Sequence, residues 1–427
     1  MNRAILTLFA LLIVGISDCE QKETTYLYPP FKHSWGFHKG TEEKLDMILG
    51  DRTDFDNPQG IAVTRLKSWD NPKTTRDDDE VTVFGVNSGR GQIIYNKSMY
   101  KLGLYGSKGS GREQFLNPHG ICATPDGDIY VADTGNRRIV HLHIPKDSLY
   151  WVKTIGDDIL SAPFDVACIP GGTLYVSDSE LNAIFIFDTS GNLIKAFRGL
   201  FAPRGIDVDA SSIRWSAYKG NFIVVVDSAG KKIVKLNRIN GRKLGEASMR
   251  KLGMPDANLQ YLALDYLDNI NVTDMARCQI HKFDRKLRYL TSYGSCGTGD
   301  DQFDQPRGIA IWRRFGQIFI AERASAQYFW VGVDVKSFRI TRNDGRQFLI
   351  HAFVTEDAYL TVTIKGNGIK RQLLKRKRRL SAGENMFRIN IPLDIKPGKY
   401  TLIFSFEATY SSKSYFSKTV EKTINIM

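Results

Sequence analysis

Short apolar runs of about four to seven residues, each ended by a polar or Gly-rich turn, fill the chain from residue 55 to 335. Their apolar positions alternate or run together and do not recur every three or four residues, so they read as β-strands and not helices. One phrase repeats: an aromatic residue or Leu, a Pro, a variable residue, a Gly-Ile-Ala-like triplet, then a second apolar run closed by an acidic or amide residue. The fullest copy runs from Phe115 through Pro118-His119-Gly120-Ile121 and Asp128-Ile129-Tyr130-Val131-Ala132-Asp133 to Asn136-Arg137-Arg138-Ile139-Val140. Weaker copies begin at Phe55, Ser161, Phe201, Asn258 and Phe303. The closing residues, Asn87, Asp133, Asp178, Asp227, Asp274 and Glu322, lie 45 to 49 apart.

A period in the forties with four short strands per unit predicts an all-β fold, a six-bladed β-propeller. One such sheet cannot bury both its faces, so the units must close into a ring. Residues 44–50 look like an outer strand without inner strands before it. Pairing it with the last repeat would fasten the ring and remove an exposed edge.

From Phe338 the period is lost. Apolar runs at 349–353, 360–364, 386–391 and 400–406, with turns at 365–368 and 396–399, predict an immunoglobulin-like β-sandwich over 338–427. At the other end, Arg3 precedes an apolar stretch at 4–16, the layout of a secretory signal and shorter than the roughly 20 residues of a membrane span. The expected order is a signal peptide at 1–19, a linker at 20–43, the propeller at 44–335 and the sandwich. Export to the periplasm, cell surface or medium is expected, with no transmembrane span. Ile16-Ser17-Asp18-Cys19 resembles a bacterial lipobox except at Asp18. Cys19 is therefore either lipidated or merely close to an ordinary cleavage site.

The copy at Phe115 resembles the NHL repeat family, whose signature reads Gly-Ile-Ala-Val, Ile-Tyr-Val-Ala-Asp and Asn-x-Arg-Ile. That resemblance implies a six-bladed propeller over about two thirds of the chain. The stretch from Ser381-Ala382-Gly383-Glu384-Asn385 to Pro397-Gly398-Lys399-Tyr400 is similar to the immunoglobulin-like domains appended to bacterial exported propellers, which implies a spacer or docking module.

Composition, at 42% hydrophobic and 25% charged, excludes disorder and a multi-span membrane protein. The net charge of +13 is concentrated in residues 338–427, which hold 17 Lys and Arg against 7 Asp and Glu. The densest run is Lys370, Arg371, Lys375, Arg376, Lys377, Arg378 and Arg379. It is either an edge strand kept soluble by charge or a contact for anionic envelope polymer or lipid headgroups. Nucleic acid is not an expected partner of an exported chain.

In a propeller the variable residue after each Pro begins the innermost strand and faces the mouth of the channel. That ring is Gln59, His119, Phe164, Arg204, Gln260 and Arg307, suited to an anionic or hydroxyl-rich ligand on a protein or glycan partner. Enzymes on related propellers bind zinc through three His or calcium through carboxylates on the axis. This ring offers only His119 and no Asp or Glu. The expectation is therefore a non-catalytic exported binding or scaffold protein without metal or cofactor. The alternatives are a metal-dependent lyase or lactonase at the mouth, or a polyanion-binding envelope protein acting through the tail.

Four smaller expectations remain. His141 and His143 share one face of a strand and read as a solvated pair. The Asp series reads as turn residues that accept backbone N–H bonds. Cys122 and Cys168 read as small core residues. Cys278 and Cys296 lie in loops on one rim, placed to form a disulfide.

Overall fold

The computed structural model describes residues 26–27, 39–69, 81–98, 101–299, 301–374, 376–409 and 417–426. The signal-like segment with Cys19, and Lys375 of the basic run, lie outside the described residues.

Each repeat folds into one antiparallel sheet. The second holds Ile121–Ala123, Asp128–Asp133, Arg138–His143 and Tyr150–Ile155, in that order outward from the axis. Among the described residues six sheets have this arrangement. Their innermost strands are Pro58–Thr64, Ile121–Ala123, Pro163–Ile169, Ile206–Asp209, Leu259–Leu264 and Ile309–Trp312. Each inner strand packs on the next, and the last on the first, so the fold is a β-propeller. An apolar core fills every space between neighbouring sheets. One example is Ile93, Phe115, Val131 and Val140 between the first two, another Val224, Met249, Leu259 and Val272 between the fourth and fifth. The thinnest lies at the seam between the last sheet and the first, around Ile61, Ala310, Phe319 and Ala321.

The acidic and amide residues that end each second strand are the clips of the repeat. Asp133 Oδ1 accepts Leu116 N–H at 2.7 Å, Asp227 Oδ1 accepts Phe201 N–H at 2.7 Å, and Asp274 Oδ1 accepts Asn258 N–H at 2.9 Å. Asn87 does the same for Asp56 N–H at 2.8 Å. Each ties the entry of its own repeat to the inner sheet, the turn role expected of them.

The seam is closed differently from the expectation. Residues 44–49 are not a strand: Glu42–Leu49 is a helix that buries Leu45 and Leu49 one turn apart. Two acidic residues in its first turn, Glu42 and Glu43, face the positive end of the helix dipole. The apolar positions 45 and 49 fit a period of 3.6 as well as alternation, and this local preference wins. Closure falls instead to Tyr26–Leu27 and Lys39–Gly40, both antiparallel to Ala326–Val331 of the last sheet. Lys39 adds an ionic latch: its buried Nζ donates to Thr298 O at 3.1 Å and lies 3.5 Å from Glu322 Oε2.

The tail is a two-sheet sandwich. Val335–Asp344, Gln347–Val354 and Gly383–Asn390 form one sheet; Ile369–Gln372, Ala358–Gly366, Gly398–Ala408 and Ser417–Ile426 form the other, with Arg378–Leu380 also on Ala358–Gly366. Strict alternation along these strands puts Ile350, Leu360, Val362, Phe404 and Phe406 into one dry core. The sandwich is joined to the fifth sheet through Lys282, 2% exposed, which pairs with Glu356 of the tail and lies 3.5 Å from Asp265. Burial works to lower its pKa, but the two carboxylates outweigh that and hold the ammonium above its usual range. Among the described residues no helix is long and apolar enough to cross a membrane.

Candidate functional site

The inner strands approach one another so closely that four of the six carry a glycine at or next to their start: Gly60, Gly120, Gly205 and Gly308. Each donates its N–H to a carbonyl of the next sheet, to His119 O, Phe164 O and Gln260 O at 2.9 Å and to Gln59 O at 3.1 Å. A Cβ on Gly120 would stand 2.0 Å from Asp165 Oδ1, and one on Gly205 2.4 Å from Tyr261 Cα. Those two neighbours occupy the glycine position of the third and fifth sheets. Their side chains enter the axis.

The missing backbone bridges are replaced by side chains. Asp165 Oδ2 accepts Ile206 N–H of the fourth sheet at 2.9 Å, and its N–H donates to Ser177 Oγ at 3.1 Å. Tyr261 N–H donates to Thr273 Oγ1 at 3.1 Å, and that hydroxyl donates to Arg307 O of the last sheet at 2.6 Å. Tyr261, 3% exposed, spans the channel from the fifth sheet to the first: its hydroxyl donates to Gln59 Oε1 at 3.4 Å. Its ring centroid is 5.2 Å from that of Phe164, which is 5.1 Å from that of His119. This aromatic row closes one end of the axis.

Above the plug lie the residues the sequence nominates. Arg204 Nη1 donates to Asn258 Oδ1 at 2.7 Å and Leu259 O at 3.0 Å; Arg307 Nη1 donates to Asn57 Oδ1 and, at 2.9 Å, to Pro58 O. Gln260 and Gln59 donate to the same two Asn side chains, at 2.9 and 3.1 Å. His119 Nδ1 lies 2.9 Å from Thr134 Oγ1 and 3.0 Å from Asn117 O. Burial first, then the positive charges of Arg307 and Arg204, depress its pKa against the effect of the Asn117 bond. All six therefore meet at one mouth, with the guanidinium groups already engaged by the loops that carry them.

Below the plug is a cavity of about 780 Å³, running down the axis from Tyr261 and Asp165 to the turns between first and second strands. Its far end meets solvent at Lys67 and Asp126, paired at 2.6 Å, and at the exposed Arg214. Asp165 lies at the deep end. Burial above all, with the charge of Asp207 adding to it and against two backbone N–H bonds, pushes its carboxyl up to about 8. Asp207, also on the wall, pairs with Arg313 Nη2 at 3.1 Å and accepts Leu264 N–H at 2.8 Å. Cys122 and Cys168 line the same wall and share a hydrogen bond. They are channel residues and not purely core, and burial pushes the Cys122 thiol up.

The remaining sequence-nominated residues lie away from the axis. His141 and His143 are not a solvated pair: both meet Asp128 Oδ1, at 2.9 and 3.2 Å, and His141 is buried and stacked on Tyr130. Cys278 and Cys296 form a disulfide with Cα atoms 4.9 Å apart. Lys370, Arg371, Arg376, Lys377, Arg378 and Arg379 are exposed along an edge of the sandwich, where Arg371 pairs with Asp394 and Lys377 with Glu407. Among the described residues no three His, Cys, Asp or Glu side chains converge as a metal site.

Asp165, Asp207, Tyr261, Trp312 and Arg313 were not nominated by the sequence. The signal was present: where other copies read Gly-Ile, the third reads Asp165-Val166 and the fifth Tyr261-Leu262. The same two copies carry hydroxyls, Ser177 and Thr273, opposite.

A family model described as the NHL repeat matches residues 115–142. No curated protein matches the chain. Among solved structures, a virginiamycin B lyase from Staphylococcus aureus is similar at 15% identity and TM-score 0.42, covering 59% of this chain and 78% of its own. A gluconolactonase from Xanthomonas campestris gives 10% identity and TM-score 0.45, covering 73% and 99%. A luciferin-regenerating enzyme gives 11%, 0.45, 69% and 94%. These neighbours are enzymes, contrary to the expectation of a non-catalytic protein, which is withdrawn.

Proposed function

We propose that this chain is an exported six-bladed propeller enzyme of NHL type, carrying an immunoglobulin-like sandwich, and that it acts as an acid–base lyase or lactone hydrolase in its axial channel. The leader-like first 19 residues support export. The NHL match and the six sheets support the blade number, and the alternating two-sheet tail supports the sandwich type.

The observation that carries the reading is Asp165. In both reactions a C–O bond breaks and the leaving oxygen needs a proton. With a carboxyl pKa of about 8, Asp165 is neutral at pH 7 and holds that proton inside the cavity. Its two oxygens already accept Val166 and Ile206 N–H at 2.9 Å, which fixes its plane. The O–H is the capacity those bonds leave for a ligand. Asp207, held by Arg313, is the partner carboxylate that takes a proton, from carbon in an elimination or from water in a hydrolysis. One proton is given and one taken, so the pair is restored by exchange with solvent.

The test is turnover on a panel of lactones and O-substituted uronates, read by pH-stat and by absorbance of a new double bond. Asp165→Asn should lower kcat by roughly 100-fold or more with the melting transition retained. Wild-type activity should fall as pH rises through about 8. Full activity in that variant, or a rate that keeps climbing above that pH, would overturn the assignment.

A further inference from the structure

We infer that the open end of the channel is an oxyanion subsite, which takes a carboxylate or phosphate group of the molecule whose bond breaks beside Asp165. In calling that molecule a substrate, the inference rests on the acid–base reading above; the binding itself stands on the channel's own residues.

Charge is the first reason. Arg65, Lys67, Arg214, Arg313 and Arg314 line the cavity, while its charged carboxylates are Asp126 and Asp207, Asp165 being neutral at pH 7. Five cations against two carboxylates leave the described wall positive, and low-dielectric walls focus that field on the opening. A neutral sugar would gain nothing from it.

Unmet donors are the second reason. Trp312 Nε1 and Arg313 Nη1 are buried on adjacent residues of the cavity wall without a hydrogen-bond partner. Arg313 Nη1 forms an ion pair with Asp209 Oδ1 at 3.7 Å, a separation too long for a hydrogen bond, so its N–H remains without an acceptor. A buried donor without a partner costs about 1–3 kcal/mol, a cost that an oxyanion accepting from either group would relieve. Nη2 of the same guanidinium is held by Asp207 at 3.1 Å and Val208 O at 3.2 Å, so the plane that would present Nη1 is fixed beforehand.

The rim is built in the same sense. Trp215 lies under two guanidinium groups, with Arg214 and Arg314 at 4.8 and 5.3 Å from its ring centroid. The turn carrying it is much longer than its counterpart in the second sheet. It is pinned by Ser216 Oγ, which donates to Asp268 Oδ1 at 3.1 Å, and by Ala217 N–H, which donates to Tyr266 O at 2.8 Å. An apolar ring edged by fixed cations suits the body of a small acidic molecule, and about 780 Å³ is a usual volume for such a site.

The experiment titrates the full chain with D-glucuronate, inorganic phosphate and D-glucose, read by calorimetry and by tryptophan fluorescence. Binding of glucuronate, phosphate or both is expected, with none of glucose, and the affinity should fall as salt rises. Trp312→Phe removes the indole N–H together with the five-membered ring, so it should weaken the bound anion about tenfold while a single cooperative melting transition is kept. Glucuronate without phosphate assigns a carboxylate, and the reverse assigns a phosphate. Glucose binding as tightly as glucuronate, failure of both anions, or unchanged affinity in Trp312→Phe overturns the subsite. Loss of turnover in Asp165→Asn alongside any of those results would sink the subsite and leave the acid–base reading standing. Intact anion binding without turnover would do the reverse.

Discussion

Four of the sheets carry glycine at or next to the start of their inner strand and two do not, and the contrast separates scaffold from site. At Gly60, Gly120, Gly205 and Gly308 the backbone itself bridges to the next sheet, and there is no room for a side chain. At Asp165 and Tyr261 the bridge is rebuilt through a carboxylate and through the Thr273 hydroxyl, which leaves a large side chain on the axis. One closes the channel and the other arms it. A repeat protein has few other ways to place a unique group at its centre, because six equivalent positions otherwise crowd the same point. The glycine beside each intruder makes the space: Gly120 faces Asp165 and Gly205 faces Tyr261.

The contrast can be broken from either side. Truncating the intruder should have the largest effect: Tyr261→Ala removes a fully buried ring that touches Phe164 and Gln59, and should cost about 4 kcal/mol in urea unfolding. A loss under about 1 kcal/mol would mean that the aromatic row does not hold the ring together. Filling the space opposite should come next. Gly120→Ala places a methyl group against Asp165 and should destabilise by about 3 kcal/mol, since the neighbour is backbone as well as carboxyl. The control is Gly345→Ala in the tail, where nothing lies within 4 Å of the new methyl group and little change is expected.

Taken unit by unit, the smallest expected effect is that of pH. The folded carboxyl of Asp165 titrates at about 8 against 3.8 for an unperturbed Asp, so between those values the native state holds the extra proton. Stability tied to this residue is therefore full at low pH and declines as pH rises through that window, by at most about 1.4 kcal/mol per unit. Melting temperatures of wild type and Asp165→Asn, measured from pH 5 to 8.5, should shift relative to one another, the wild type losing stability with rising pH while the variant does not. Parallel curves would show that the residue is ionised throughout.

Much of this architecture is legible in one dimension. The spacing of Asn87, Asp133, Asp178, Asp227 and Asp274 encodes sheets of one kind, because each meets the same local need for a side-chain acceptor near the repeat entry; Glu322 keeps the spacing but accepts from Ser325 and Gln327 instead. The mouth ring is legible for a similar reason: a residue that follows a fixed Pro starts a strand at a fixed height. Closure of the ring was not. Residues 42–49 carry an apolar spacing compatible with either helix or strand, and the segments that do pair, Tyr26–Leu27 and Lys39–Gly40, are too short for a periodic signal. The channel chemistry was missed because Asp165 and Tyr261 look like decay of a motif when each copy is compared only with its consensus.

Sequence alone determined the strand pattern, the repeat length, the all-β class and the change of architecture near Phe338, since each depends on neighbours a few residues away. Tertiary structure decided which sheets leave their glycine position filled facing a neighbour's empty one, which donors of residues 312 and 313 are left buried, and what proton Asp165 keeps. Those properties depend on burial and on charges brought together across the axis from separate repeats, such as Arg313 and Asp207, and no local pattern records them.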